Sequence, residues 1–160
     1  MPGLSPTIAM HKLGIMKGKK AVKQPQRRFH PDIVPKIEEE VEKLIQAGFI
    51  REVKYPRWIS NIVLVKKKSD QIRVCVDFRN LNEACPKDDF PLPIPELLID
   101  STTGYAVLSF MDGYSGYNQI RMAPEDEEST AFRTTLGIYC YRVMPFGLKI
   151  QGQHISVRCK

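Results

Sequence analysis

The stretch that decides the fold is "NIVLVKKKSDQIRVCVDFRNLN", residues 61–82. "NIVLV" and "IRVCVDF" are runs rich in β-branched residues, and "KKKSDQ" between them is basic and turn-prone. The expectation is a β-hairpin with Lys66, Lys67 and Lys68 at its tip and Arg73 starting the return strand. Lysines at such a tip commonly do no more than keep an edge soluble. Several cations beside one arginine would also suit a triphosphate.

Upstream, "HPDIVPKIEEEVEKLIQAGFI" sets Ile37, Val41, Leu44 and Ile45 on one helical stripe. Asp32 stands just before the start, Pro35 lies early in the pattern and Gly48 is placed to end it, so a core-packing helix is expected over residues 35–48. The first 30 residues carry seven Lys/Arg and no Asp or Glu, whereas residues 31–160 hold 17 basic and 18 acidic residues. The net charge of +6 therefore belongs to an N-terminal arm. Such an arm is either a solvated tail or a strap for phosphates, with Lys19, Lys20, Lys23, Arg27 and Arg28 as its cations.

Downstream, "PKDDFPLPIPELLID" carries four prolines and reads as an extended connector until about Glu96. "GYAVLSFMD" reads as a strand ending on Asp112, followed by a turn at "GYSGYNQIRM". "APEDEESTAF" opens a short helix with Pro124 early, and "IYCYRVMPFG" supplies one more strand. Strands alternating unevenly with few helices indicate an α+β fold. A carboxylate at a strand end, followed by small residues, suits Mg²⁺ held against phosphates, because that ion takes few carboxylates and keeps phosphate oxygens and waters. The backbones of Ser115 and Gly116 could approach phosphate oxygens, and Tyr117 could wall a sugar. An aspartate beside glycine is, however, more often a turn former.

Composition limits the remaining classes. A hydrophobic content of 42% and a charged content of 26% fit a soluble globular domain. No apolar run approaches the roughly 20 residues that span a bilayer, and no secretory signal opens the chain, so an intracellular location, cytoplasmic or nuclear, is expected. Cys75, Cys85, Cys140 and Cys159 form no C-x-x-C pair, which favours free thiols over a metal finger or a disulfide framework.

Five segments carry a resemblance. "VLVKKK", "RVCVDFRNLN", "FPLPIPELL", "LSFMDGYSGYNQIRM" and "TAFRTTLGIYCYRVMPFGLK" stand in the order and spacing of a reverse transcriptase from a gypsy-type LTR retrotransposon, and plant elements look most similar. The resemblance runs from about Gln24 to Lys149. It implies a partial right-hand polymerase: a basic arm over residues 1–30, fingers over about 31–87 and 120–145, and palm over about 88–119 and 146–149. It further implies that Asp112 is the first metal-binding aspartate and that the Gly113 carbonyl adds a ligand to the nucleotide-bound metal, Mg²⁺ or Mn²⁺. By the same resemblance Lys67 and Arg73 clamp the triphosphate, and the backbones of Ser115 and Gly116 contact phosphates. Tyr117 is the gate against a ribose 2′-OH, and Phe146 packs over the incoming nucleotide. The implied partners are an RNA/DNA template-primer, a dNTP and the rest of the polyprotein (remaining palm, thumb and RNase H).

The sequence departs from the family at one decisive place. The family's Y-x-D-D hairpin has no counterpart here, since the only "DD", Asp88–Asp89, lies in the proline-rich connector. One aspartate cannot offset two Mg²⁺ ions, so the chain is expected to be inactive by itself, with an incomplete palm prone to aggregate. A non-catalytic nucleic-acid-binding module is the alternative. The last 11 residues, "IQGQHISVRCK", back-translate with one restored base into "N-T-G-A-T-Y-Q-R-A-M-Q", the family's continuation. Residues 150–160 therefore read as an out-of-frame tail.

Overall fold

The computed structural model describes residues 5–7, 9–66, 71–86, 94–107 and 116–149. The hairpin is present. We label its outgoing strand β3 (Ser60–Lys66) and its return strand β4 (Ile72–Val76), paired antiparallel from Ile62↔Val76 to Lys66↔Ile72. Lys66 thus sits at the tip end of the hairpin, while Lys67 and Lys68 lie outside the described residues.

Among the described residues there are five further strands: β1 (Met10–His11), β2 (Ile50–Glu52), β5 (Arg121–Met122), β6 (Phe132–Arg133) and β7 (Ile138–Tyr141). On its other edge β3 runs parallel to β6, and the five-stranded order is β2-β7-β6-β3-β4. β1 and β5 form a separate parallel pair. The helices are α1 (Val34–Gln46), α2 (Arg79–Ala84), α3 (Pro95–Asp100) and α4 (Pro124–Glu127), so the fold is α+β. Among the described residues no helix is long and apolar enough to cross a membrane.

α1 follows from its stripe. Ile37 and Val41 are fully buried, and Leu44 packs half-buried against the same core. Burying a side chain of this size contributes about 1.5–3 kcal/mol. Ile45 departs from the expectation, for it is 39% exposed. One position past Leu44 it is rotated by about 100° and falls off the stripe. Asp32 does not cap α1 either, because a 3₁₀ turn over Pro31–Ile33 precedes the helix and Ile33 takes the cap position without a side-chain bond. The C-terminus behaves as read. Gly48 adopts φ 70°, its N–H meets the Ile45 carbonyl at 2.9 Å, and Phe49 N–H meets the Leu44 carbonyl at 3.0 Å. That is a Schellman closure, and it needs a residue without Cβ at the left-handed position.

The core lies between α1, the inner face of the sheet and α2. Phe132 and Tyr141 pack at 5.1 Å between ring centroids, and Phe78 meets the edge of Tyr141 at 6.3 Å. Among the described residues Cys85 and Cys140 are buried free thiols and Cys75 is a half-buried one. Burial pushes the Cys140 thiol up to about 11, which leaves it unreactive.

"GYAVLSFMD" departs from its expected strand at its start. Gly104 is in a turn and residues 105–107 are coil, with Tyr105 72% and Val107 85% exposed. A strand requires a neighbour to take its backbone bonds, and among the described residues nothing pairs with this segment. The rest of it, including Asp112, lies outside the described residues.

The basic arm is not a solvated tail. Ala9, His11 and Leu13 are buried, and Leu13 N–H donates to the Asp126 carboxylate at 2.9 Å. Further along, Gln24 N–H meets the Ile59 carbonyl at 2.8 Å, and Ile59 N–H meets the Val22 carbonyl at 3.1 Å. The Gln24 side chain donates to the carbonyl of Asp77 at 3.1 Å and to Asn80 Oδ1 at 2.8 Å, and accepts from Asn61 N–H at 2.8 Å. Asp77, with its side chain only 7% exposed, accepts a two-pronged contact from Arg79 at 2.8 and 2.7 Å and lies 3.9 Å from Arg27. The arm is thereby stitched to the start of β3 and to α2.

The Arg79 hydrogen bonds hold the Asp77 carboxyl below the usual carboxylate range, against the opposing effect of burial. A depressed folded value means stability that is fully present above the unfolded value, about 3.9. It declines as pH falls below that and is gone once the folded carboxyl is itself protonated. Asp77→Ala should lower the melting temperature at neutral pH by about 2–4 °C, the shift that about 1 kcal/mol produces in a chain of this size. It should also speed tryptic cleavage at Lys19, Lys20 and Lys23, and its deficit against wild type should shrink in acid. Equal melts and equal cleavage at pH 7 would show that the carboxylate does not hold the arm.

Candidate nucleotide-binding groove

β4 turns Arg73 outward and Val76 inward, since successive residues on a strand face opposite sides. The hairpin's return strand therefore carries a cation along one wall of a groove. The opposite wall comes from a 3₁₀ turn over Gly116–Gln119 and from the loop after β7. Arg73, Tyr117 and Phe146 all line this groove, together with Glu40 and Leu44 of α1 and Tyr141 of β7. Its volume is about 310 Å³, at the lower end of the range for small-molecule sites.

Tyr117 and Phe146 meet edge to face, with centroids 5.0 Å apart and planes at 71°. Such a contact contributes about 0.5–1.5 kcal/mol beyond burial. Phe146 remains 71% exposed, an apolar ring held at the surface rather than in the core. Its loop is pinned on both sides by Met144 and Leu148, which enter the main core. Gly147 makes the apex sharp: it adopts φ 90°, and a Cβ there would stand 3.6 Å from the Val76 carbonyl oxygen.

The electrostatics favour an anion. Glu40, the acid in the groove, receives a hydrogen bond from Lys43 at 2.8 Å. The paired glutamates Glu40 and Glu39 in turn raise the Lys43 ammonium above its usual range. Arg73 thus lines a groove in which Glu40, the one carboxylate among the described lining residues, already has a counter-charge. Burial pushes the Tyr141 hydroxyl up, so that ring stays neutral.

Of the residues singled out from sequence, Arg73, Tyr117 and Phe146 come together. Gly116 is exposed next to Tyr117, and a Cβ built on it would meet nothing within 4 Å. Lys67, Asp112, Gly113 and Ser115 lie outside the described residues. The arm cations Lys19, Lys20, Lys23, Arg27 and Arg28 are exposed, but they do not line this groove; Lys19 borders a separate cavity with Tyr55 and Trp58. Among the described residues no group of three or more His, Cys, Asp or Glu side chains gathers to hold a metal. Sequence reading missed Glu40, Asn82 and Asp77, whose types are common on helices and at turns. The one signal for the last two was their place in "VDFRNLN".

Solved structures share this α+β fold. The prototype foamy virus protease-reverse transcriptase superposes with a TM-score of 0.66 at 19% identity, over 84% of this chain and 18% of that one. A foamy viral protease-reverse transcriptase in complex with double-stranded DNA gives 0.69 at 14% identity, over 92% of this chain and 25% of that one. Residues 65–154 match the family described as "Reverse transcriptase (RNA-dependent DNA polymerase)". Two transposon polyproteins of Schizosaccharomyces pombe, Tf2-7 and Tf2-3, are 32% and 31% identical over 126 residues, 79% of this chain. The chain belongs to the reverse transcriptase family, and it spans 9% of the length of those polyproteins.

Gly147→Ala should destabilise the chain by about 1 kcal/mol or more, because alanine is strained at this φ. Thermal melting checks it, and an unchanged melt would mean that the loop apex relaxes freely.

Proposed function

We propose that the groove receives the incoming deoxynucleoside triphosphate of an RNA-directed DNA polymerase encoded by a gypsy-type retrotransposon of plant-like pattern. The convergence of Arg73, Tyr117 and Phe146 on one groove carries this reading. Arg73, with Lys67, would neutralise the triphosphate through charge-assisted hydrogen bonds. The backbones of Ser115 and Gly116 would contact phosphate oxygens. Tyr117 would crowd a 2′-OH, and the exposed face of Phe146 would cover the sugar and base.

Asp112 and the Gly113 carbonyl are the proposed Mg²⁺ ligands. When bound, the ion supplies charge neutralisation at the phosphates. The remaining task is phosphoryl transfer, in which the protein contributes positioning and electrostatics. Since the chain carries one of the family's three metal-binding aspartates, we expect it to need carboxylates from elsewhere for turnover. The arm's cations are proposed to track a template-primer backbone, within a cellular compartment where that nucleic acid is made. The division into arm, fingers, palm segment and out-of-frame tail is part of the same proposal. The groove favours a polymerase segment over a non-catalytic nucleic-acid-binding module, which would need no pocket of nucleotide size.

Titration of the chain with dTTP and Mg²⁺ tests the reading. Arg73→Ala should weaken affinity about 10-fold, the equivalent of about 1.4 kcal/mol. Tyr117→Ala should narrow the preference for dTTP over its ribonucleotide. Primer extension on an RNA template should show no product from the chain alone. Affinity indifferent to Arg73 would sink the groove assignment, and extension abolished by Asp112→Ala would show that carboxylates are being donated in trans.

A further inference from the structure

Phe146 poses a physical problem. An aromatic ring that is 71% exposed is not held by burial, and its edge contact with Tyr117 reaches it from one side only. The anchors Met144 and Leu148 fix the ends of the loop but leave the peptide groups around its apex to be satisfied otherwise. Asn82, on α2, supplies this. Its Nδ2 donates to the Gly147 carbonyl at 2.8 Å, and its Oδ1 accepts from Lys149 N–H at 2.8 Å. The Lys149 ammonium also reaches the Asn82 carbonyl at 3.5 Å. Both halves of one side-chain amide are used, on peptide groups that flank Leu148.

We infer that Asn82 is a positioning residue for the nucleotide groove: it clamps the apex of the loop at residues 144–149 and thereby sets the ring of Phe146 against Tyr117. The inference rests on the proposed nucleotide reading of the groove. Asn82 does not line the groove, so its influence on a bound nucleotide passes through Phe146. An amide is required chemically. Aspartate keeps the acceptor for Lys149 N–H but sets a negative oxygen against the Gly147 carbonyl, leucine provides neither bond, and glutamine is longer by one methylene. The clamp also joins the groove to the arm. α2 begins at Arg79, whose partner Asp77 lies in the polar knot with Gln24, so displacement of α2 would be felt at Phe146.

Two readouts on the 160-residue chain test this. Hydrogen exchange followed by mass spectrometry over residues 143–149 should rise about 10-fold or more in Asn82→Ala, as expected for a lost amide partner. Affinity for dTTP with Mg²⁺ should fall about 5–10-fold in Asn82→Ala and by a similar factor in Phe146→Ala, with less than about 2-fold further loss in the double variant. If Asn82→Ala unfolds the chain, Asn82→Asp replaces it, and exchange should then rise around Gly147 while the Lys149 amide stays protected. Unchanged exchange in the loop overturns the clamp, and so does an equal affinity loss with and without Phe146, which would make Asn82 independent of that ring. If wild type and Phe146→Ala do not differ in dTTP affinity, the nucleotide reading has failed, and the exchange result alone decides the clamp.

Discussion

Strand β3 is the constraint on which the rest depends. Ile62–Lys66 pair with β4 on one edge, Ser60 and Asn61 pair with β6 on the other, and the arm joins through Asn61 and the adjacent Ile59. The strand is buried at Ser60, Asn61 and Ile62 and exposed at Val65 and Lys66, so it runs from core to solvent. That gradient makes the hairpin project. The buried end fixes register, because a slip of one residue would turn Ile62 outward, and the exposed end sets Val65 opposite Arg73. Arg73 is placed by its pairing with Val65, not by any contact of its own with the core.

From β3 the groove is assembled by indirect means. α1 packs Ile37 and Val41 inward and so brings Leu44 and Glu40 to the groove's rim. β7, paired with β6, delivers the loop that holds Phe146. Asp77 terminates β4 and orders α2, from which Asn82 reaches back to that loop. Polar side chains thus bridge segments that are far apart in sequence, and most of these bridges are only partly buried. Each is weak beside the core, where a single large apolar side chain contributes about 1.5–3 kcal/mol. Their part is to fix the geometry of a surface site, which burial alone leaves loose.

The hairpin, α1, α4 and β7 were legible in the sequence because each announces itself locally: β-branched runs, a 3.6-residue stripe, Pro124 ahead of acids, Gly48 after the last helical turn. Arg73 and Tyr117 were weak local candidates, an arginine near a basic tip and a ring after small residues, and took their specific roles from resemblance; Phe146 was legible only through resemblance. The packing of the arm was not legible. Its contacts are backbone bonds and a glutamine side chain, which leave no periodicity, and its charges suggested solvent. Nor was the exposure of Ile45, which turns on one step around the helix, or the coil at residues 105–107, which depends on whether a neighbouring strand is there to pair with it.

The proposed groove, walled by Arg73, Tyr117 and Phe146, would take a deoxynucleoside triphosphate. The most direct measurement is photolabelling of the chain with 8-azido-dATP in the presence of Mg²⁺, with the attachment sites mapped by mass spectrometry. Labelling should be confined to peptides containing residues 73–76, 117–118 and 145–146, suppressed by excess dATP and strongly reduced in Arg73→Ala. Labelling concentrated on the arm, or at the groove but indifferent to both dATP and Arg73→Ala, would contradict it.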